Sequence, residues 1–256
     1  MLKTILNLRL SYVYPILFGV FLLLLSVVEP QKLTPGQLAL YSVNSFLFGF
    51  YFSPLLSAQK ARVDGLNKAV RQEVMVILDI LAQSHLLTEK VRHQLKIRLR
   101  AYLDSINGNT KIAADNPQYD ELLRFTKQDK FKDDSVMDVI YGRISKTQEN
   151  RDNIESLLGS KVYSHEWLVT LVLFVITIYF VMQTDYNHLL FFKILLAILC
   201  TGISLMLVIL VKYATLAHKQ AKKMWQPMQE LLKDHFEDID RSEVIEQTKN
   251  LEVETA

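Results

Sequence analysis

Apolar residues are unevenly distributed along this chain. Long runs occupy 10–28, 37–58, 167–184 and 189–211, and only the last holds a charge, Lys193, near its start. The intervening stretches are strongly polar. Crossing a bilayer takes about 20 apolar residues, because the hydrocarbon core is ~30 Å thick and a helix rises ~1.5 Å per residue. All four runs qualify. Lipid offers no water to open backbone groups, so such runs must be helices. They are too long for barrel strands and do not alternate. The first run is followed by Glu29-Pro30 rather than a small-residue cleavage site, so it reads as a retained span and not a signal peptide.

The polar segments carry a different period. Val63, Leu66, Val70, Val74, Ile77 and Leu81 recur every three or four residues, so the helix of span two is expected to continue inward, with Gly65 a candidate bend. A second helix is predicted from Thr88, with Val91, Leu95, Leu99, Tyr102 and Ile106 as its buried stripe and Asn107-Gly108-Asn109 as its end. Asn116-Pro117 reads as the cap and first turn of a short helix. A polar loop is expected over 127–134, then a long helix from Ser135 to about Ser160. The middle of that helix, 145–153, is wholly polar, which places it in water or beside a water-filled space. After span four a basic helix is expected to run to Trp225, with Pro227 restarting a shorter one and an acidic tail from Glu237. No internal repeat is visible.

Charge sets the orientation. Lys3 and Arg9 precede span one; Lys60, Arg62, Lys68 and Arg71 follow span two; Lys212, Lys219, Lys222 and Lys223 follow span four. The loop 29–36 has only Lys32, and 185–188 has neither Lys nor Arg. The positive-inside rule therefore predicts both termini and the middle segment in the cytoplasm. The two outer loops are short, so spans one and two, and three and four, are expected to form tight antiparallel pairs. The organisation follows: 1–58 with two spans, 59–164 a helical cytoplasmic domain, 165–211 with two more spans, and 212–256 a cytoplasmic helix and tail.

Composition alone would not have separated the classes: half the residues are hydrophobic, 22% are charged and mean hydropathy is +0.15. A net charge of +2 gives no argument for nucleic acid. The single cysteine, Cys200, lies mid-span and excludes a disulfide scaffold. No metalloprotease, serine-hydrolase, P-loop, dinucleotide or dithiol motif occurs, so the reading is of a non-enzyme with no cofactor and no metal. His165-Glu166 at the mouth of span three reads as ordinary interface polarity. No Asp, Glu or His lies at the centre of a span, which argues against proton-coupled transport.

Span two is the unusual one. Ser45, Gly49 and Ser53 form a small-residue stripe of the kind that packs membrane helices closely. Phe46 and Phe50 lie one turn apart on another face. From the residues alone lipid is the favoured environment for those rings; with several copies around an axis they would instead form an apolar constriction. On the second polar helix, Lys90, Arg92, Lys96, Arg98 and Arg100 make a basic side. It reads first as solvated or near lipid phosphates; beside a pore, Arg92, Lys96 and Arg100 would attract anions.

The order of elements resembles the bestrophin-like family of bacterial membrane proteins. The residues that carry the likeness are Glu73, Leu78, Leu81, Leu86-Leu87, Leu95, Leu99 and Tyr102, then Arg151 before the aromatic Trp167, and Phe48-Gly49-Phe50. The chain departs from that pattern at Asn153, where a second Arg is expected, and at Lys212-Tyr213-Ala214-Thr215, where an Asp-x-Pro-Phe type sequence is expected. No acidic calcium clasp is recognisable, so calcium gating is not carried over. The resemblance implies an all-α, four-span fold in a bacterial plasma membrane and a homo-oligomer, pentamer favoured. It also implies a channel for small ions with span two lining the pore. The rival expectation is a non-conducting scaffold or regulator whose cytoplasmic helices bind a protein partner.

Overall fold

The computed structural model describes residues 10–28, 32–106, 116–128, 131, 134–159, 162–184, 190–215 and 218–237. Among them the fold is all-α. The helices are α1 (Leu10–Val27), α2 (Pro35–Ser84), α3 (Glu89–Ile106), α4 (Pro117–Thr126), α5 (Ser135–Gly159), α6 (Ser164–Gln183), α7 (Leu190–Thr215) and α8 (His218–Phe236). Four of these, α1, α2, α6 and α7, are long and apolar enough to cross a membrane, as in a multi-pass membrane protein. The expected helix end at 107–109, both basic residues before α1, most of the acidic tail, and parts of both short loops lie outside the described residues.

Helix α2 runs unbroken for 50 residues through Pro54 and Gly65. Gly65, the candidate bend, does not interrupt the helix. A proline removes one backbone donor, and a glycine costs only about 1 kcal/mol of helix propensity. Burial on both sides of each outweighs these losses.

The chain divides into two compact units, an apolar one (Met1–Val63, Ser160–Gln220) and a polar one (Asp64–Gly159, Ala221–Ala256). In the apolar unit, α1 packs mainly on α7. This differs from the expected pairing of spans one and two. The reason is a core of Phe21, Leu25, Val181, Ala197 and Cys200, where small residues on α7 let the aromatic and leucine side chains of α1 come close. A second core joins Phe48, Phe52 and Leu55 of α2 to Leu210 of α7, with Trp167 and Phe174 of α6 against it. One polar contact fixes α2 to α6: the Asn44 side-chain amide donates to Thr177 Oγ1 (2.8 Å) and to the Leu173 carbonyl (3.2 Å). At the other end of this region, Arg62 is buried and donates to Gln59 Oε1 (2.9 Å) and to the Ala214 carbonyl (3.5 Å). Ala214 lies in the last turn of α7, where the helix dipole is negative and a cation is favoured.

In the polar unit, α4 bridges α3 and α5. Asn116 caps α4 by accepting from the Gln118 N–H (3.1 Å), as the Asn-Pro pair predicts. Asp134 caps α5 through the Val136 and Met137 N–H groups. The α2 stripe is buried as expected at Leu66, Val70, Ile77 and Leu81, and Ile80 joins it. Helix α3 is buried on more than one side: Ile97 is covered as well as Leu95, Leu99, Tyr102 and Leu103. The loop after α4 is not uniformly polar, because Phe131 is buried against Phe125 with ring centroids 5.6 Å apart. Nor does Pro227 restart a helix. α7 ends at Thr215, and α8 runs through Pro227 because Met224, Trp225, Met228 and Leu231 form one buried face on both sides of it.

Candidate functional site: an exposed aromatic face and a buried ion pair

The run Phe46–Phe52 places a phenylalanine at every second residue, and a helix sends them to different sides. Phe48 and Phe52 turn inward and stack at 5.3 Å, with Phe174 of α6 6.5 Å from Phe48. Phe46 and Phe50 turn outward, 70% and 69% exposed, and stack on each other at 6.0 Å. Leu40, Val43 and Leu47 extend this uncovered apolar face.

The small-residue stripe lies beside it. Gly49 and Ser53 are exposed and Ser45 is half-buried. A Cβ placed on Gly49 would meet nothing within 4 Å, so at Gly49 the stripe is open among the described residues. The Ser45 hydroxyl is covered and has no hydrogen-bond partner.

The basic side of α3 is only partly solvated. Arg98 forms an ion pair with Glu121 (3.1 Å) and lies 4.3 Å over the Phe125 ring. Burial lowers its pKa and Glu121 raises it. Arg100 donates to the Phe236 carbonyl (2.6 Å) and pairs with Asp104 (3.7 Å). Of the expected anion-attracting set, Arg100 is thus committed to contacts inside the polar unit. Arg92 and Lys96 are half-exposed.

The polar middle of α5 is where expectation and structure part. Ser145, Lys146, Gln148, Glu149, Asp152 and Asn153 are exposed, but Thr147 and Arg151 are buried. Both continue the apolar stripe Ile140, Ile144, Ile154 at three- and four-residue steps. Arg151 can be there because Glu73 meets it. The Arg151 Nε donates to Glu73 Oε1 (2.7 Å), and Nη2 donates to the same oxygen. The Tyr102 hydroxyl also donates to Oε1 (2.8 Å) and accepts from Arg151 Nε (3.0 Å). The guanidinium carbon lies 5.6 Å from the Tyr102 ring centre and 6.0 Å from that of Trp225. Four helices meet at this cluster.

Burial holds the Glu73 carboxyl above the usual carboxylate range, opposed by the Arg151 charge and then by the Tyr102 and Arg151 hydrogen bonds. Burial, with the Glu73 charge adding to it, puts the Tyr102 phenol well above its ordinary value. Tyr119, whose ring packs 5.9 Å from that of Tyr102, is pushed up to about 12 by burial.

Tyr102 enters the sequence argument as part of the α3 stripe. Glu73 and Arg151 are singled out only through the resemblance, yet a direct signal existed. Glu73 lies between Val70 and Ile77 on an apolar stripe, and Arg151 between Ile144 and Ile154 on another. A carboxylate and a cation each misplaced on a buried face point to each other.

Near the start of α6, the Tyr163 N–H donates to Glu166 Oε2 (3.0 Å), so Glu166 caps its own helix. Among the described residues no group of three His, Cys, Asp or Glu side chains could hold a metal ion. A cavity of about 310 Å³ lined by Leu123, Arg124, Lys127 and Tyr141 has the Lys127 ammonium 4.5 Å over the Tyr141 ring. Comparison with family models, with curated proteins and with solved structures finds no match for this chain.

Proposed function

We propose that this protein is an oligomeric membrane channel for small ions, with α2 lining the pore and copies of the chain arranged around an axis. The observation that carries the reading is the outward face of α2. Phe46 and Phe50 form a stacked, uncovered pair beside a small-residue stripe that is open at Gly49 and Ser53. The four candidate spans are apolar in composition, so conduction calls for several copies around an axis. The stripe Ser45/Gly49/Ser53 lets the backbones of neighbouring copies approach. The Phe rings then form a narrow apolar neck that gates by excluding water. Five copies follow from the resemblance to bestrophin-like proteins. The same reading sets the polar unit and both termini in the cytoplasm of a bacterial cell, on the Lys and Arg distribution. Arg92 and Lys96 supply a positive potential that enriches anions and weakens with salt.

A second reading has its own support. Met75, Leu86 and Val139 are large apolar side chains exposed on the polar unit, each a position for a protein partner of a non-conducting scaffold to cover. Ion flux through liposomes separates the two. A channel gives flux that depends on Phe50, and a scaffold gives none.

A further inference from the structure

Among the described residues Glu73 is the only buried carboxylate, and its hydrogen bonds are lopsided. All three donors, from Tyr102 and from two nitrogens of Arg151, converge on Oε1. Oε2 is buried with no donor, and Arg151 Nη1 is buried with no acceptor. An ionised carboxylate spreads its charge over both oxygens, so the ionised form keeps half a charge on a desolvated, unbonded atom. A proton on Oε2 removes that charge and leaves Oε1 a carbonyl oxygen that still accepts its donors. Arg151 does not depend on Glu73 alone, because its guanidinium also faces the Tyr102 and Trp225 rings.

We propose that Glu73 is a proton-binding site of the polar unit, where a proton taken from solvent onto Oε2 tightens the junction of α2, α3 and α5 and its loss loosens it. The proposal is independent of the channel reading.

The groups that act on the carboxyl are Arg151 from α5 and Tyr102 from α3. From α4, Tyr119 reaches it only through the Tyr102 ring, since its own hydroxyl donates to the Ile144 carbonyl (3.0 Å). From α8 comes Trp225, which does not titrate, while Lys223, Glu230, Lys233, Asp234 and His235 of that helix are exposed. The direction follows from burial, which outweighs Arg151 and Tyr102 and raises the carboxyl. A carboxyl raised in the folded state binds its proton more tightly folded than unfolded. Its stabilising contribution is complete below the unfolded value, about 4.3, and is lost as pH rises through the folded one.

Trp225, beside Arg151, reports the junction. The full chain in lipid nanodiscs, with Trp167→Phe removing the other tryptophan, is titrated from about pH 5 to about pH 8 while Trp225 emission is followed. Emission should move to longer wavelength as pH rises and water reaches the ring. Glu73→Gln should abolish that shift and hold the short-wavelength emission throughout. A shift of the opposite sign, or one that Glu73→Gln leaves in place, overturns the proposal. Should Glu73→Gln fail to fold, infrared difference spectra of the unaltered chain decide. A buried carboxylic-acid band that grows on acidification and moves in Glu73→Asp supports the site, and its absence refutes it.

Discussion

A buried charge and an exposed one of the same chemistry differ most in what their loss costs. Arg151 and Glu73 have side chains 9% and 0% exposed, whereas Arg143 and Asp79, paired at 2.8 Å between the same two helices, are 44% and 38% exposed. Where the pH leaves Glu73 ionised, removing Arg151 strands that charge in a dry site, so Arg151→Ala should cost about 3–5 kcal/mol there. Arg143→Ala should cost about 0–1 kcal/mol, because water takes over its role. Thermal melting of the two variants in one detergent tests this contrast; equal losses would mean that the Arg151 site is hydrated. Gly65 gives a milder test. A Cβ there would sit 3.3 Å from Leu157 Cδ1, the far end of a flexible side chain. Gly65→Ala should therefore be neutral or gain up to about 1 kcal/mol from helix propensity. A clear loss would show that Leu157 cannot move.

The spans, the Asn116 cap and the apolar stripes were legible in the residues because they depend on local period and capping, whereas the boundary expected at Pro227 was not. Asn116-Pro117, the stripe from Leu66 to Leu81 and the four spans all answer to rules acting within a turn or two. What was not legible depended on partners distant in sequence. The pairing of α1 with α7 rests on which small residues meet which large ones. The burial of Arg151 rests on Glu73, 78 residues away. The inward turn of Phe48 and Phe52 was likewise hidden, since every second residue of that run is aromatic and period alone does not choose a face. At this scale Asn44 is the testable link between α2 and α6. Asn44→Leu removes both of its hydrogen bonds and should weaken that association by about 1 kcal/mol, seen as a lower melting temperature. Gly49→Leu should leave the chain's own fold intact, since its Cβ meets nothing, yet separate neighbouring copies. A particle mass unchanged by Gly49→Leu would take the stripe out of any interface.

For the whole molecule, topology and assembly carry the functional reading. In a Cys200→Ser background, cysteines placed at Gln31 and Asn187 should be labelled from outside intact cells, and one at Lys127 should not. Labelling at Lys127 would reverse the orientation drawn from the Lys and Arg distribution. Conduction through a neck formed by α2 is the central claim, and flux from liposomes holding matched amounts of unaltered protein and Phe50→Ala tests it most directly. Removing the ring widens the neck and lowers its barrier to water, so Phe50→Ala should pass monovalent ions faster. Equal flux from both would return Phe50 to the lipid, and no flux from either, for cations and anions alike, would contradict the channel itself.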